Sequence, residues 1–103
     1  MDEIRQGEYR IIHTDGTEIL IEEKPNMDRI LKAIGAECAD TVCLDKRTRT
    51  QIMVVDDTGM VDGKPVNSKA TKLYHSVCKP GTVYASHGDV ALCNDLDFEV
   101  ASD

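Results

Sequence analysis

IMVVDDTGMVDGKPVNSKATKLY, running from Ile52 to Tyr74, holds a strand, an acidic turn and the start of a helix in succession. Gln51 to Val55 is nearly all apolar, which suits a central strand covered on both faces. Asp56-Asp57-Thr58-Gly59 has turn chemistry, because Asp side chains hydrogen-bond the backbone just ahead of them and Gly frees the dihedrals. Met60 to Lys64 is irregular, with Asp62-Gly63 as a second turn. Pro65-Val66-Asn67 then resets the chain. Asn67 is placed as an N-cap, and the helix that follows runs to about Cys78 with Ala70, Leu73, Tyr74 and Val77 as its apolar face. Lys79-Pro80-Gly81 ends it.

Upstream, Tyr9–His13 and Thr17–Ile21 flank His13-Thr14-Asp15-Gly16, and Asp-Gly between β-favouring runs predicts a hairpin. Tyr9, Ile11 and His13 fall on one face of the first strand; Arg10, Ile12 and Thr14 fall on the other. After the Glu22-Glu23-Lys24-Pro25 break, Asn26 caps a helix whose Met27, Ile30, Leu31 and Ile34 keep i, i+3, i+4, i+7 spacing, with Gly35 as its stop. Thr41–Leu44 reads as a strand, and Asp45 to Arg49 as a polar connection. Downstream, Val83–Ala85 and Asp89–Cys93 read as strands around His87-Gly88. The order β-β-α-β-β-α-β-β predicts a single α+β domain over 1–103, two-layered, with two short helices on a mostly antiparallel sheet. Residues 1–7 and 94–103 read as polar, frayed ends, although Phe98 and Val100 retain packing potential.

The 103 residues give one modest core and little depth, so a sizeable ligand pocket is expected at a rim or between subunits. With no Trp, one Phe and three Tyr, that core is aliphatic. A net charge of −7 opposes binding to nucleic acid or anionic membranes. The opening MDEIRQGEYR lacks an apolar signal region, and no apolar run approaches a membrane span, so a cytoplasmic chain is expected. Cys38, Cys43, Cys78 and Cys93 form no CxxC pair. They read as half-buried thiols acting as small hydrophobes, with a Cys/His site through His75 and Cys78 as the alternative. The sequence calls for no cofactor and no metal.

Two constellations bear on chemistry. Asp56 and Asp57 end a strand and suit either a metal or acid–base work, but neighbouring strand side chains point to opposite faces, which favours the plain turn. Asn67, Lys69, Thr71 and Lys72 surround a helix start, where outward N–H groups and the dipole favour anions, and Lys64 adds charge. GKPVN is not a P-loop; the bland alternative is an N-cap beside a solvated lysine face. His87 with Asp89 offers a His–Asp relay, with no Ser or Cys placed to complete it.

Val55-Asp56-Asp57-x-Gly59, Gly63-Lys64-Pro65-Val66-Asn67, Ala70-Thr71-x-Leu73-Tyr74 and Gly88-Asp89-Val90 together resemble the pattern of a family of small uncharacterised proteins encoded by phages and mobile elements. The resemblance covers about residues 8–93, with Cys78–Ala85 outside the pattern. Its motifs are structural in character, and no catalytic residues carry over. It implies a phage accessory protein of the bacterial host cytoplasm that counters host defence without catalysis. One route is sequestration of a nucleotide-derived signal, a cyclic nucleotide or ADP-ribose derivative. Lys64, Asn67, Lys69, Thr71, Lys72 and Tyr74 would bind it, Arg47 and Arg49 would close the site from another subunit, and a homo-oligomer is expected. A second route is direct inhibition of a host enzyme or nuclease through Glu18, Glu22, Glu23, Asp95, Asp97 and Glu99. A small metal-dependent phosphodiesterase using Asp56, Asp57 or His87 is the third.

Overall fold

The structure is a computed structural model that describes residues 4–44, 51–59, 62–77 and 85–94. Five strands form one antiparallel sheet in the order β2-β1-β5-β4-β3. They are β1 (Tyr9–Ile12), β2 (Glu18–Ile21), β3 (Ala39–Cys43), β4 (Gln51–Asp56) and β5 (Val90–Asn94), with helices α1 (Met27–Ile34) and α2 (Ser68–Val77) between them. The α+β class, the antiparallel sheet and the two short helices are as the sequence predicts. The Val83–Ala85 strand lies largely outside the described residues, and Ala85 itself is not in a strand.

The layering differs from the two-layer expectation, because one helix covers each face. Strand side chains alternate across the sheet. Tyr9 and Ile11 of β1, Ile52 and Val54 of β4, and Ala91 and Cys93 of β5 pack with Ile30 and Ile34 of α1. Ile12, Met53, Val90 and Leu92 pack with Ala70 of α2 on the other side, joined by Leu73 and Tyr74. The unbroken apolar run of β4 requires this: a strand with no polar face needs cover on both.

Helix α1 is fixed at both ends by its own sequence. Asn26 Oδ1 accepts from the N–H groups of Asp28 (2.9 Å) and Arg29 (3.3 Å). Gly35 adopts the left-handed region (φ 69°), so that its N–H reaches Lys32 O and the Ala36 N–H reaches Leu31 O. Ile30 and Ile34 are the buried part of the predicted stripe.

Residue 4 departs from the frayed-end expectation. Ile4 is fully buried against Ile12 and Met53. The Gln51 side chain accepts from Ile4 N–H (2.8 Å) and donates to Ile4 O (3.0 Å), while Asn94 donates to the same carbonyl. Two buried amides at the ends of β4 and β5 thus complete the backbone bonding of a segment that reads as loose polar chain. The cysteines also differ from the half-buried reading: Cys38 and Cys43 are exposed and Cys93 is buried. Cys78 lies outside the described residues.

Candidate functional site

The motif pieces 63–67 and 88–90 are far apart in sequence and adjacent in space. Val66 and His87 form an antiparallel bridge. Around it, Asn67 N–H donates to Ser86 O and Gly88 N–H to Pro65 O, each at 2.8 Å. Asn67 lies at the centre and is fully buried. Its Oδ1 accepts from Ala70 N–H (3.1 Å), capping α2, and its amide donates to Ile12 O (3.0 Å) and Gly88 O (3.1 Å). The N-cap reading of Asn67 therefore holds, and the side chain has no hydrogen left for a ligand. Thr71 Oγ1 donates to Asn67 O and accepts from Ser86 N–H, so it too is committed to the fold.

Lys64 has a comparable role. Its ammonium donates to Gly35 O at the end of α1 (2.5 Å) and pairs with the Asp56 carboxylate. The Asp56 side chain is almost wholly buried and that of Lys64 is one-quarter exposed. Burial pushes the Asp56 carboxyl up, but Lys64 and the backbone and hydroxyl of Thr58 outweigh it, leaving Asp56 below its ordinary 3.8. Asp56 Oδ1 accepting from Thr58 N–H (3.0 Å) is the turn reading of DDTG. Gly88 is required beside this pair. It has φ 87°, and a Cβ there would lie 2.9 Å from Lys64 Cδ.

Asp89 holds the hairpin. It accepts from His13 Nδ1 (2.8 Å) and Thr14 N–H (3.0 Å). His87 Nδ1 instead contacts Lys64 O at 2.9 Å. The two members of the suggested His87–Asp89 relay thus have separate partners.

The remaining predicted ligand residues divide between two depressions on different sides of α2. Tyr74 lines the smaller, about 200 Å³, with Asp40, Asp56, Asp57, Ser86 and His87. Three carboxylates there oppose a phosphate. Lys69 and Lys72 line the larger, an open groove of about 480 Å³ floored by Ile12, Leu73 and Leu92. Arg10 and Glu18 complete its rim. Glu18 pairs with Lys69 at 2.7 Å and with Arg10 at 3.7 Å. Its carboxyl is held below the ordinary 4.5, first by the Lys69 hydrogen bond. With one carboxylate against three cations, this rim is locally positive on an acidic chain.

Arg10 is the groove residue that the sequence reading leaves out. The strand alternation already puts it on the same face as Ile12, but only the β1–β2 register, Arg10 opposite Leu20 and Ile12 opposite Glu18, brings it beside the lysines. Arg47 and Arg49 lie outside the described residues. Among the described residues, no three His, Cys, Asp or Glu converge as metal ligands, and no helix is long and apolar enough to cross a membrane. No protein-family model, no curated protein and no solved structure matches this chain.

Proposed function

We propose that the chain is a non-catalytic binding protein that sequesters a small phosphorylated ligand, of the cyclic-nucleotide or ADP-ribose class, in the groove beside α2. The observation that carries this reading is the pairing of an apolar floor with a cationic rim. Ile12, Leu73 and Leu92 offer a surface for a base, and Arg10, Lys69 and Lys72 offer charge for phosphate. The volume, about 480 Å³, lies within the range of small-ligand sites. Lys64, Asn67 and Thr71 then serve the site indirectly, by fixing the start of α2 and so the position of Lys69 and Lys72. The anti-defence role in a bacterial host cytoplasm rests on the resemblance to phage-encoded proteins and on this binding chemistry together.

The test is retention followed by heat release. Purified chain is mixed with a panel of cyclic nucleotides and ADP-ribose derivatives, separated from free ligand, denatured, and the released mass measured. An intact nucleotide that is retained by the native chain and lost from Lys69→Glu/Lys72→Glu supports sequestration. A released product of altered mass points to catalysis instead. Nothing retained across the panel overturns the reading and directs attention to a host-protein target.

A further inference from the structure

The two edges of the sheet are chemically unlike. On β3, Leu44 N–H donates to Gln51 O and Asp57 N–H to Cys38 O, marking 44/51 and 38/57 as hydrogen-bonded pairs. Antiparallel ladders alternate, so Ala39, Thr41 and Cys43 turn their backbone groups outward. The outward Thr41 N–H is taken by Asp40 Oδ1 at 2.9 Å, and Asp40, Thr41 and Cys43 are exposed. That edge is polar and partly self-capped, as protected edges are. On β2, the His13 N–H to Thr17 O bond (2.8 Å) marks 13/17 as a hydrogen-bonded pair. By the same alternation Glu18 and Leu20 turn N–H and C=O outward, as does the N–H of Glu22 just past the strand, and among the described residues nothing receives them. Ile19 and Leu20, 47% and 44% exposed, are two of the three large apolar side chains left in solvent among the described residues.

We infer that the β2 edge is a homodimer interface, in which two copies join their β2 strands antiparallel about a two-fold axis at Leu20. Three observations select a second copy of this chain. The outward N–H groups at 18, 20 and 22 are symmetric about Leu20, so this register forms the hydrogen-bonded pair Leu20–Leu20 and lets each Glu22 N–H reach Glu18 O of the other copy. Directly opposed residues share a face, so the register also sets Ile19 against Ile21 of the second copy, and Leu20 against Leu20. Lastly, the charges balance. Arg10 and Lys69 already converge on Glu18 with one positive charge in excess. Glu22 of the second copy arrives on that same face directly opposite Glu18, where Arg10 and Lys69 offset the two carboxylates and Lys72 keeps the groove positive. The two half-sheets become one ten-stranded sheet, and the grooves beside α2 face each other across the axis. This interface goes beyond the ligand reading and does not depend on it.

Light scattering on the full chain, eluted at roughly 100 μM, tests the interface. The mass of two chains is expected, falling to one chain in Leu20→Lys with an unchanged circular dichroism spectrum. Ile19→Lys, at an exposed site set against Ile21 of the second copy, should loosen the dimer about tenfold without altering the fold. A single-chain mass for the unmodified protein overturns the inference. So does a folded Leu20→Lys that keeps the mass of the unmodified protein. Should Leu20→Lys fail to fold, the Ile19→Lys result decides: unchanged dissociation overturns the register centred on Leu20.

Discussion

Two lysine–carboxylate clusters lie close together in this chain and differ in depth. Lys64 meets Asp56 where the carboxylate is almost wholly withdrawn from water, while Lys69 meets Glu18 on an open rim with both side chains more than one-third exposed. The charged groups are the same, an ammonium and a carboxylate, and the energetic weights are opposite. A carboxylate out of water must have its partner, whereas an exposed pair contributes about 0–1 kcal/mol and is easily exchanged for another ion. Depth, then, assigns Lys64 to the architecture and leaves Lys69 and Lys72 available to a ligand.

The sharpest way to break this contrast is at Asn67, the hub of the buried cluster. Asn67→Ala removes the α2 cap and strands Gly88 O in the interior, while Ile12 O keeps the ladder bond that its pairing with Val90 supplies. A lost cap costs about 1 kcal/mol and an unsatisfied buried group about 1–3 kcal/mol, so a loss of roughly 2–4 kcal/mol is expected. Urea unfolding followed by circular dichroism would read it. A loss below about 1 kcal/mol would mean that the cluster is not the structural core of the motif.

Lys64→Met comes next, at about 3 kcal/mol at neutral pH, the low end for breaking a buried pair because Lys64 retains some solvent. The pH dependence carries a definite sign. Asp56 titrates below its ordinary 3.8 in the folded chain, so its contribution is present above that value and is lost as pH falls through the lower folded value. Without Lys64 the upward push of burial has less to oppose it, and the variant gains less from ionised Asp56. The stability gap between the two proteins should therefore narrow as the solution is acidified from about pH 5 to about pH 2. A gap constant across that range would mean that the ammonium does not stabilise the carboxylate.

Much of this architecture is legible in the chain because its signals are local. The Asp-Gly hairpin, Asn26 and Gly35 around α1, and the Asn67 cap each act within a few residues, and all appear where the pattern places them. Even the cover on both faces is implied by the apolar run at Gln51–Val55. What the sequence does not reveal is pairing across long separations. The clasp of Gln51 on Ile4 spans 47 residues, and Asp89 reaches His13 over 76. The candidate site suffers most from this. Lys64, Asn67, Lys69, Thr71, Lys72 and Tyr74 cluster in sequence, yet the 3.6-residue period distributes them over the fold's interior and two separate depressions. Arg10 joins the groove through strand pairing alone.

The smallest effect on stability, and the most telling for function, is expected at the rim. Lys69→Ala removes an exposed pair, so the unfolding free energy should move by no more than about 0.5 kcal/mol. Its local electrostatic signature is nevertheless readable. The Glu18 carboxyl owes its lowered pKa first to Lys69, so NMR titration of the variant should show Glu18 returning upward toward 4.5. Affinity for a phosphorylated ligand should fall at least about tenfold, because a charge-assisted contact is lost while the apolar floor remains. The same substitution thus leaves the fold untouched and disables the groove, the reverse of Asn67→Ala. If Lys69→Ala instead destabilised the chain by several kcal/mol, the rim would belong with Lys64 to the architecture. If stability and affinity both held, the ligand would have to engage Arg10 and Lys72 without Lys69, and the double charge reversal would locate it.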